Sequence, residues 1–186
     1  MIPLPELIPI IDGVPGEVSE AATRLAFSSV VMVNLGIARA DISDAHVTYF
    51  YDDDIVFSRL SFPHRLSPHT VPPGTGSIQA EIYFSDKYRP LPESFDGLIP
   101  RVIADLQRCG TLRSDDQILF SEARVARYGN VIYDHERAAA LATIHSYLDE
   151  IGVLYCGRYG EWNHLWTDDA FVSGERAAER ALEREG

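Results

Sequence analysis

Apolar positions along this chain fall into runs, alternations and three-to-four spacings that predict helices and strands by turns. The proline-spaced opening "MIPLPELIPIIDG" reads as extended chain packed on a surface. From Gly16 to Phe27, Val18, Ala22 and Leu25 share one face behind an acidic start and predict a short helix. Ser28 to Ile37 is β-rich and almost wholly apolar, as a central strand is. In "HVTYFYDDDIVFSRLSF" two aromatic and β-branched runs flank Asp52, Asp53 and Asp54, the grammar of a hairpin and its turn. A proline-rich loop leads to the strand "SIQAEIYFS", so residues 28–85 predict an antiparallel sheet of about four strands.

Between Ser94 and Cys109, Leu98, Val102, Ile103 and Leu106 mark a helix closed by Gly110. "QILFSEARVARYGNVIYD" reads as one or two further strands or an extended crossing segment. Leu141, Ile144, Leu148 and Ile151 give the next helix one apolar stripe, ended by Gly152. A brief strand "VLYC" and a final helix over Asp169–Arg184 follow. There are no internal repeats. The predicted class is α+β: an antiparallel or mixed sheet with packed helices.

Composition narrows the function. A length of 186 residues suits one domain or a large piece of a bigger protein, and 46% hydrophobic with 24% charged residues is ordinary for a soluble chain. Sixteen basic against 28 acidic residues leave −12, without a basic stripe, which excludes nucleic acid as the expected partner. Lys87 is the only lysine, so Schiff-base chemistry would rest on one side chain; the remaining cations are arginines, suited to holding phosphate or carboxylate. Cys109 and Cys156 form neither a disulfide framework nor a zinc knuckle. The N-terminus lacks the basic region of a signal peptide and no apolar run reaches membrane-span length, so the expectation is a soluble cytoplasmic protein.

Several motifs fail. "GVLYCGRY" has phosphate-loop spacing without the Lys-Ser/Thr, "GTGSIQ" places Gln79 where a third glycine belongs, and no G-x-S-x-G occurs. The six histidines, His46, His64, His69, His135, His145 and His164, lack ligand spacing with a carboxylate, so no metal site is expected. Asp52–Asp54 reads as a solvated turn rather than a calcium loop.

The stretch from Val153 to Leu182 carries the chemistry. Gly157 lets a ligand approach the backbone at the end of "VLYC", and Arg158 sets a fixed cation where open α/β sheets place ligands. Trp162 and Trp166 offer flat apolar area around a polar turn. Thr167, Asp168 and Asp169 are N-cap residues for a helix whose amides and dipole suit an electron-rich oxygen or delocalised anion. Phe171, Gly174, Ala178 and Ala181 share a face whose small residues permit close packing. Together these read as a cofactor-binding edge.

"GRYGEW", the second tryptophan and "DDAFVSGERAAERAL" resemble the C-terminal flavin-binding motif of the flavin amine oxidase and protoporphyrinogen oxidase superfamily. The GR and DD portions look closest to the UDP-galactopyranose mutase branch. The resemblance implies that the last strand returns to an FAD domain and that the last helix points its N-terminus at the flavin pyrimidine edge. Gly157, Arg158, Trp166, Asp168, Asp169, Ala170 and Phe171 would then border FAD, the amides around Asp169, Ala170 and Phe171 facing flavin O2 and N1. Arg59, Tyr128 and Tyr133 become substrate candidates, with Trp162 and His164 lining the pocket over the isoalloxazine. The implied activity is hydride transfer from a small-molecule substrate to flavin N5. A mutase-like action on a nucleotide sugar is the alternative, Arg59 and Arg158 holding the diphosphate; a non-catalytic binding or assembly piece of the same fold is the other.

More loosely, "VFSRLSFP", "PPGTGSIQAEIYFS" and "ARYGNVIYD" resemble the substrate-domain sheet and return crossing of these oxidases. On that footing residues 1–134 form a substrate-domain-like part and 135–186 the end of an FAD-binding domain. The family's N-terminal Rossmann unit with G-x-G-x-x-G has no counterpart in this sequence. The chain therefore resembles a C-terminal half, a truncated product or one subunit of a split enzyme. Its expected partner is a chain carrying the glycine motif, or further copies of itself. Lys87, at the end of a strand beside "YRPLP", does not support amine oxidation, and no catalytic residue is assigned.

Overall fold

The computed structural model describes residues 2–185 and is an α+β chain of two compact units, residues 1–27 with 130–186 and residues 28–129. The larger unit is built on β1 (Phe27–Ile37), an interior strand of its sheet. Val31, Val33, Leu35 and Ile37 alternate along β1 and are all buried. Their register partners on β4 (Gly76–Phe84) include Ile82, Ala80 and Ile78, so the antiparallel pair presents one continuous apolar face. On that face lies α4 (Leu98–Arg108), burying Val102 and Leu106, with Phe57, Leu60 and Phe62 filling the remainder.

The predicted hairpin forms from β2 (Val47–Tyr49) and β3 (Arg59–Ser61), with Asp52–Asp54 in the loop between them. Its strands are shorter than the aromatic runs suggest, because Asp105 on α4, itself buried, accepts the Val56 amide at 2.9 Å and draws the second run off the ladder. After β3 come a short helix α3 (Pro63–Leu66) and a proline-rich loop. The segment left open between strand and crossing is one long strand, β5 (Ile118–Val131), and the sheet order is β2-β3-β4-β1-β5. Gly129 is required there: a Cβ would come within 2.4 Å of Val30.

In the smaller unit the opening is not extended. It forms a helical turn, α1 (Leu4–Leu7), continued as a 3-10 turn over Ile8–Ile10. Proline stands at the first positions of both turns, where a missing N–H costs nothing, and the four-residue step from Leu4 to Ile8 buries both. α2 (Gly16–Arg24) packs on α5 (Arg137–Glu150) through Val18, Ala21 and Ala22 against a stripe of Ala140, Leu141, Ile144 and Leu148. The predicted strand "VLYC" is not one: Val153–Cys156 has no strand neighbour among the described residues. α6 (Gly157–Gly160) and α7 (Thr167–Glu185) complete the unit. No helix of the described residues is long and apolar enough to cross a membrane.

One ion pair ties the end of β1 to the loop before β5. Arg39 donates Nε to Asp116 Oδ1 at 2.6 Å and Nη2 to Oδ2 at 2.8 Å, a two-pronged contact. The hydrogen bonds from Arg39 hold the Asp116 carboxyl below the usual carboxylate range. A depressed carboxylate contributes stability above its unfolded value and loses it as pH falls through the folded one. Asp116→Asn should therefore cost about 2 kcal/mol at neutral pH and progressively less at an acid pH below the usual carboxylate range. Urea denaturation at both pH values checks this; an equal loss at both would refute it.

Candidate functional site

The turn between α5 and α7 is held from outside by side chains rather than by regular structure. Gly157 starts α6 at φ 65°, a left-handed conformation that suits glycine, and its amide donates to the buried Ser173 hydroxyl at 2.7 Å. Ser173 in turn donates to Glu161. Arg158 lays Nε and Nη2 on the Leu165 carbonyl at 3.1 and 2.7 Å and Nη1 on Asn130 Oδ1 at 3.0 Å. Arg137 does the same to the Trp162 carbonyl at 2.9 and 2.6 Å while its guanidinium lies 4.2 Å over the Tyr133 ring. Trp162 itself sits at φ 50°, costly for a bulky residue, and is fully buried between Phe27 and Tyr159 in edge contacts. Its indole N–H is buried without a hydrogen-bond partner among the described residues.

Beside this lies a second cluster. The Tyr133 hydroxyl donates to Asn163 and accepts the His164 amide at 2.8 Å, and the two rings meet edge to face. Thus Tyr133, Trp162 and His164 come together with Gly157 and Arg158. Trp166 is 75% exposed and not part of an apolar wall. Its amide donates to Asp169 at 3.2 Å, a reach-back cap of the α7 start. The first helical bond joins the Ala170 amide to the Trp166 carbonyl at 2.9 Å. Ala170 therefore has no amide to offer a ligand; the open amides are those of 167–169, two residues before the expected set. Phe171 is 68% exposed, and the small-residue face with Ala178 and Ala181 lies bare.

The remaining candidates, Arg59 and Tyr128, belong to the sheet unit. Arg59 projects from β3 onto the sheet face opposite α4 and donates to Glu81, its register partner on β4. Glu81 is buried and also accepts the Tyr83 hydroxyl at 2.6 Å. The hydrogen bond to Glu81 raises the Arg59 guanidinium further above its ordinary value, and burial together with the Tyr83 hydroxyl's own bond to Glu81 pushes that hydroxyl to about 12. On the same face Gln79 donates to Asn34 at 2.9 Å. Sequence reading passed over Asn34, Gln79, Glu81 and Tyr83. The signal was present in "SIQAEIYFS", where polar side chains at 79, 81 and 83 alternate with apolar ones at period two. Tyr128 packs under the Arg127 guanidinium, 5.6 Å from its ring. Lys87 is exposed. His64 bridges the Ser77 amide and the Ala40 carbonyl, both at 3.1 Å, as an ordinary structural histidine does. Among the described residues no group of three His, Cys, Asp or Glu side chains is placed to hold a metal.

No family model and no curated protein sequence matches this chain. Among solved structures the fold is shared with a reduced UDP-galactopyranose mutase, at TM-score 0.78 and 23% identity over 87% of this chain. It is also shared with a putative protoporphyrinogen oxidase from Exiguobacterium sp. 255-15, at TM-score 0.73 and 16% identity over 100% of this chain. These are the two kinds of enzyme that the terminal stretch resembles. The chain spans 35% and 40% of their respective lengths.

Two substitutions test how the site is held. Arg137→Ala should destabilise the chain by about 2 kcal/mol in urea denaturation, with little rescue by lysine, which lacks the planar fork. Glu81→Gln should move the Tyr83 hydroxyl down from about 12 towards the ordinary value, read as the ultraviolet titration difference between Tyr83-containing and Tyr83→Phe proteins. An unmoved titration would show burial alone at work.

Proposed function

We propose that this chain is the C-terminal part of an FAD-dependent oxidoreductase that removes hydride from a small-molecule substrate. The observation that carries the reading is the shared fold over at least 87% of the chain, with the motif-bearing turn folded as a pinned unit on it. The residues present fit a flavin edge in part. Open amides at 167–169 begin a 19-residue helix and suit an electron-rich oxygen, whereas Gly157 is buried with its amide on Ser173. Asp168 and Asp169 stand in that first turn and favour a neutral over a fully anionic group beside it.

Flavin, when bound, supplies the redox chemistry. This chain's share is to orient and shield. Arg137 and Arg158 hold the turn rigid, Trp162 fills its apolar floor, and Tyr133 and His164 present a polar rim for a substrate. The Arg59–Glu81–Tyr83 row supplies a preorganised set of hydrogen-bonding groups on the sheet.

A mutase-like role on a nucleotide sugar is the second reading, favoured by the higher of the two fold scores. Against it, the charge of Arg59 is already countered by Glu81, leaving it a poor holder of a diphosphate. FAD would be completed by a glycine-motif half outside this sequence.

Purified alone after expression with excess flavin, the chain should emerge colourless from desalting. Supplied with such a half, it should retain a flavin absorption band. A complete pair that stays colourless would sink the flavoprotein reading.

A further inference from the structure

The two edges of the five-strand sheet differ. β2 forms one of them and is three residues long, a stub that offers little backbone for pairing. β5 forms the other, 14 residues with β1 on one side and no strand beyond it among the described residues. Natural edges are blunted by shortness, proline, charge or covering chain, because an unpaired strand is a template for another. β5 is long and carries no proline, and Leu119, Phe120 and Val125 stand 53%, 54% and 44% exposed along it. Its charges are of both signs, which a matching strand can satisfy.

Those charges select the strand. Glu122 and Arg124 lie two positions apart, so they share a face, and Arg124 Nε is 2.8 Å from Glu122 Oε1. Laid antiparallel on itself about Ala123, the strand sets Glu122 of each copy against Arg124 of the other, twice across a two-fold axis. Ser121 then meets Val125, and Ala123 meets its own copy, where a small side chain allows close approach. A parallel pairing in register would oppose like charges at both positions. The net charge of −12 per copy resists association at long range, yet residues 118–131 hold two arginines against one glutamate. At physiological ionic strength, screening over about 8 Å removes most of that repulsion and leaves pairs in contact.

We infer that β5 is a self-pairing edge: two copies of this chain join antiparallel about Ala123, merging their two sheets into one across a two-fold axis. This pairing goes beyond the flavoprotein reading and does not depend on it. Main-chain hydrogen bonds supply the affinity. The crossed Glu122 and Arg124 pairs fix direction and register.

Sedimentation equilibrium of the purified chain at physiological salt tests this. The chain should sediment at twice the mass of one copy. Glu122→Arg sets arginines against arginines across the axis, and Arg124→Glu sets glutamates against glutamates. Each variant should therefore dimerise about tenfold or more weakly, with circular dichroism unchanged as the control for folding. Mixed one to one, the two variants should pair again, because every contact between 122 and 124 then joins opposite charges. A monomeric parent chain, an undiminished dimer in either variant, or a mixture that stays monomeric would each overturn the inference. So would hydrogen-exchange protection of 119–125 that appears only when a glycine-motif half is supplied. A dimer that never retains flavin, with or without such a half, would sink the cofactor reading and leave the edge.

Discussion

Two guanidinium groups hold main-chain carbonyls that no ladder or helix reaches, and the candidate site depends on them. Arg158 on the Leu165 carbonyl and Arg137 on the Trp162 carbonyl brace the two sides of one turn. A left-handed tryptophan costs about 1–3 kcal/mol, and a charge-assisted hydrogen bond contributes about 1.5–3. Two such bonds to its own carbonyl, with edge contacts to Phe27 and Tyr159, are enough to keep Trp162 in place. The conformation of residues 157–166 is thus imposed by long-range side chains, and with it the direction in which α7 starts.

The sheet shows the opposite economy. Its apolar face is settled by alternation and register, whereas its polar face carries a buried carboxylate whose desolvation must be offset locally. Glu81 has two charge-assisted partners, Arg59 and Tyr83, both on its own face of the sheet. An apolar row at these positions would pack as well and cost less. Arg59 Nε is buried there without a hydrogen-bond partner among the described residues.

Much of the fold was legible because local grammar and tertiary packing agree. The stripe Leu141, Ile144, Leu148 gives α5, the alternation 31, 33, 35, 37 gives the core face of β1, and the Asp52–Asp54 loop separates its hairpin strands. The opening misled because prolines at first-turn positions look like extended chain when the helical spacing is only one step, Leu4 to Ile8. "VLYC" misled for another reason: its composition is that of a strand, but a strand exists only with a neighbour. In the site, Gly157 and Arg158 were visible as residue types near a turn. That Arg158 spends its donors on Leu165 and Asn130, that Arg137 braces Trp162, and that Glu81 neutralises Arg59 are contacts between residues as much as 28 positions apart. No short pattern encodes such contacts.

The failed strand and the bare helix flank the same turn. Val153–Cys156 has strand composition without a strand neighbour among the described residues, and α7 leaves Phe171, Val172 and Leu182 exposed. Within the chain the local rules are consistent: Asp169 caps α7, Gly152 ends α5, and Ser173 receives the Gly157 amide. Unmet groups near this turn include the buried Trp162 indole N–H and the exposed Phe171, Val172 and Leu182 of α7. Trp162, strained and braced by two hydrogen bonds to its carbonyl, thus stands within one short stretch of an extended segment that pairs with no strand among the described residues.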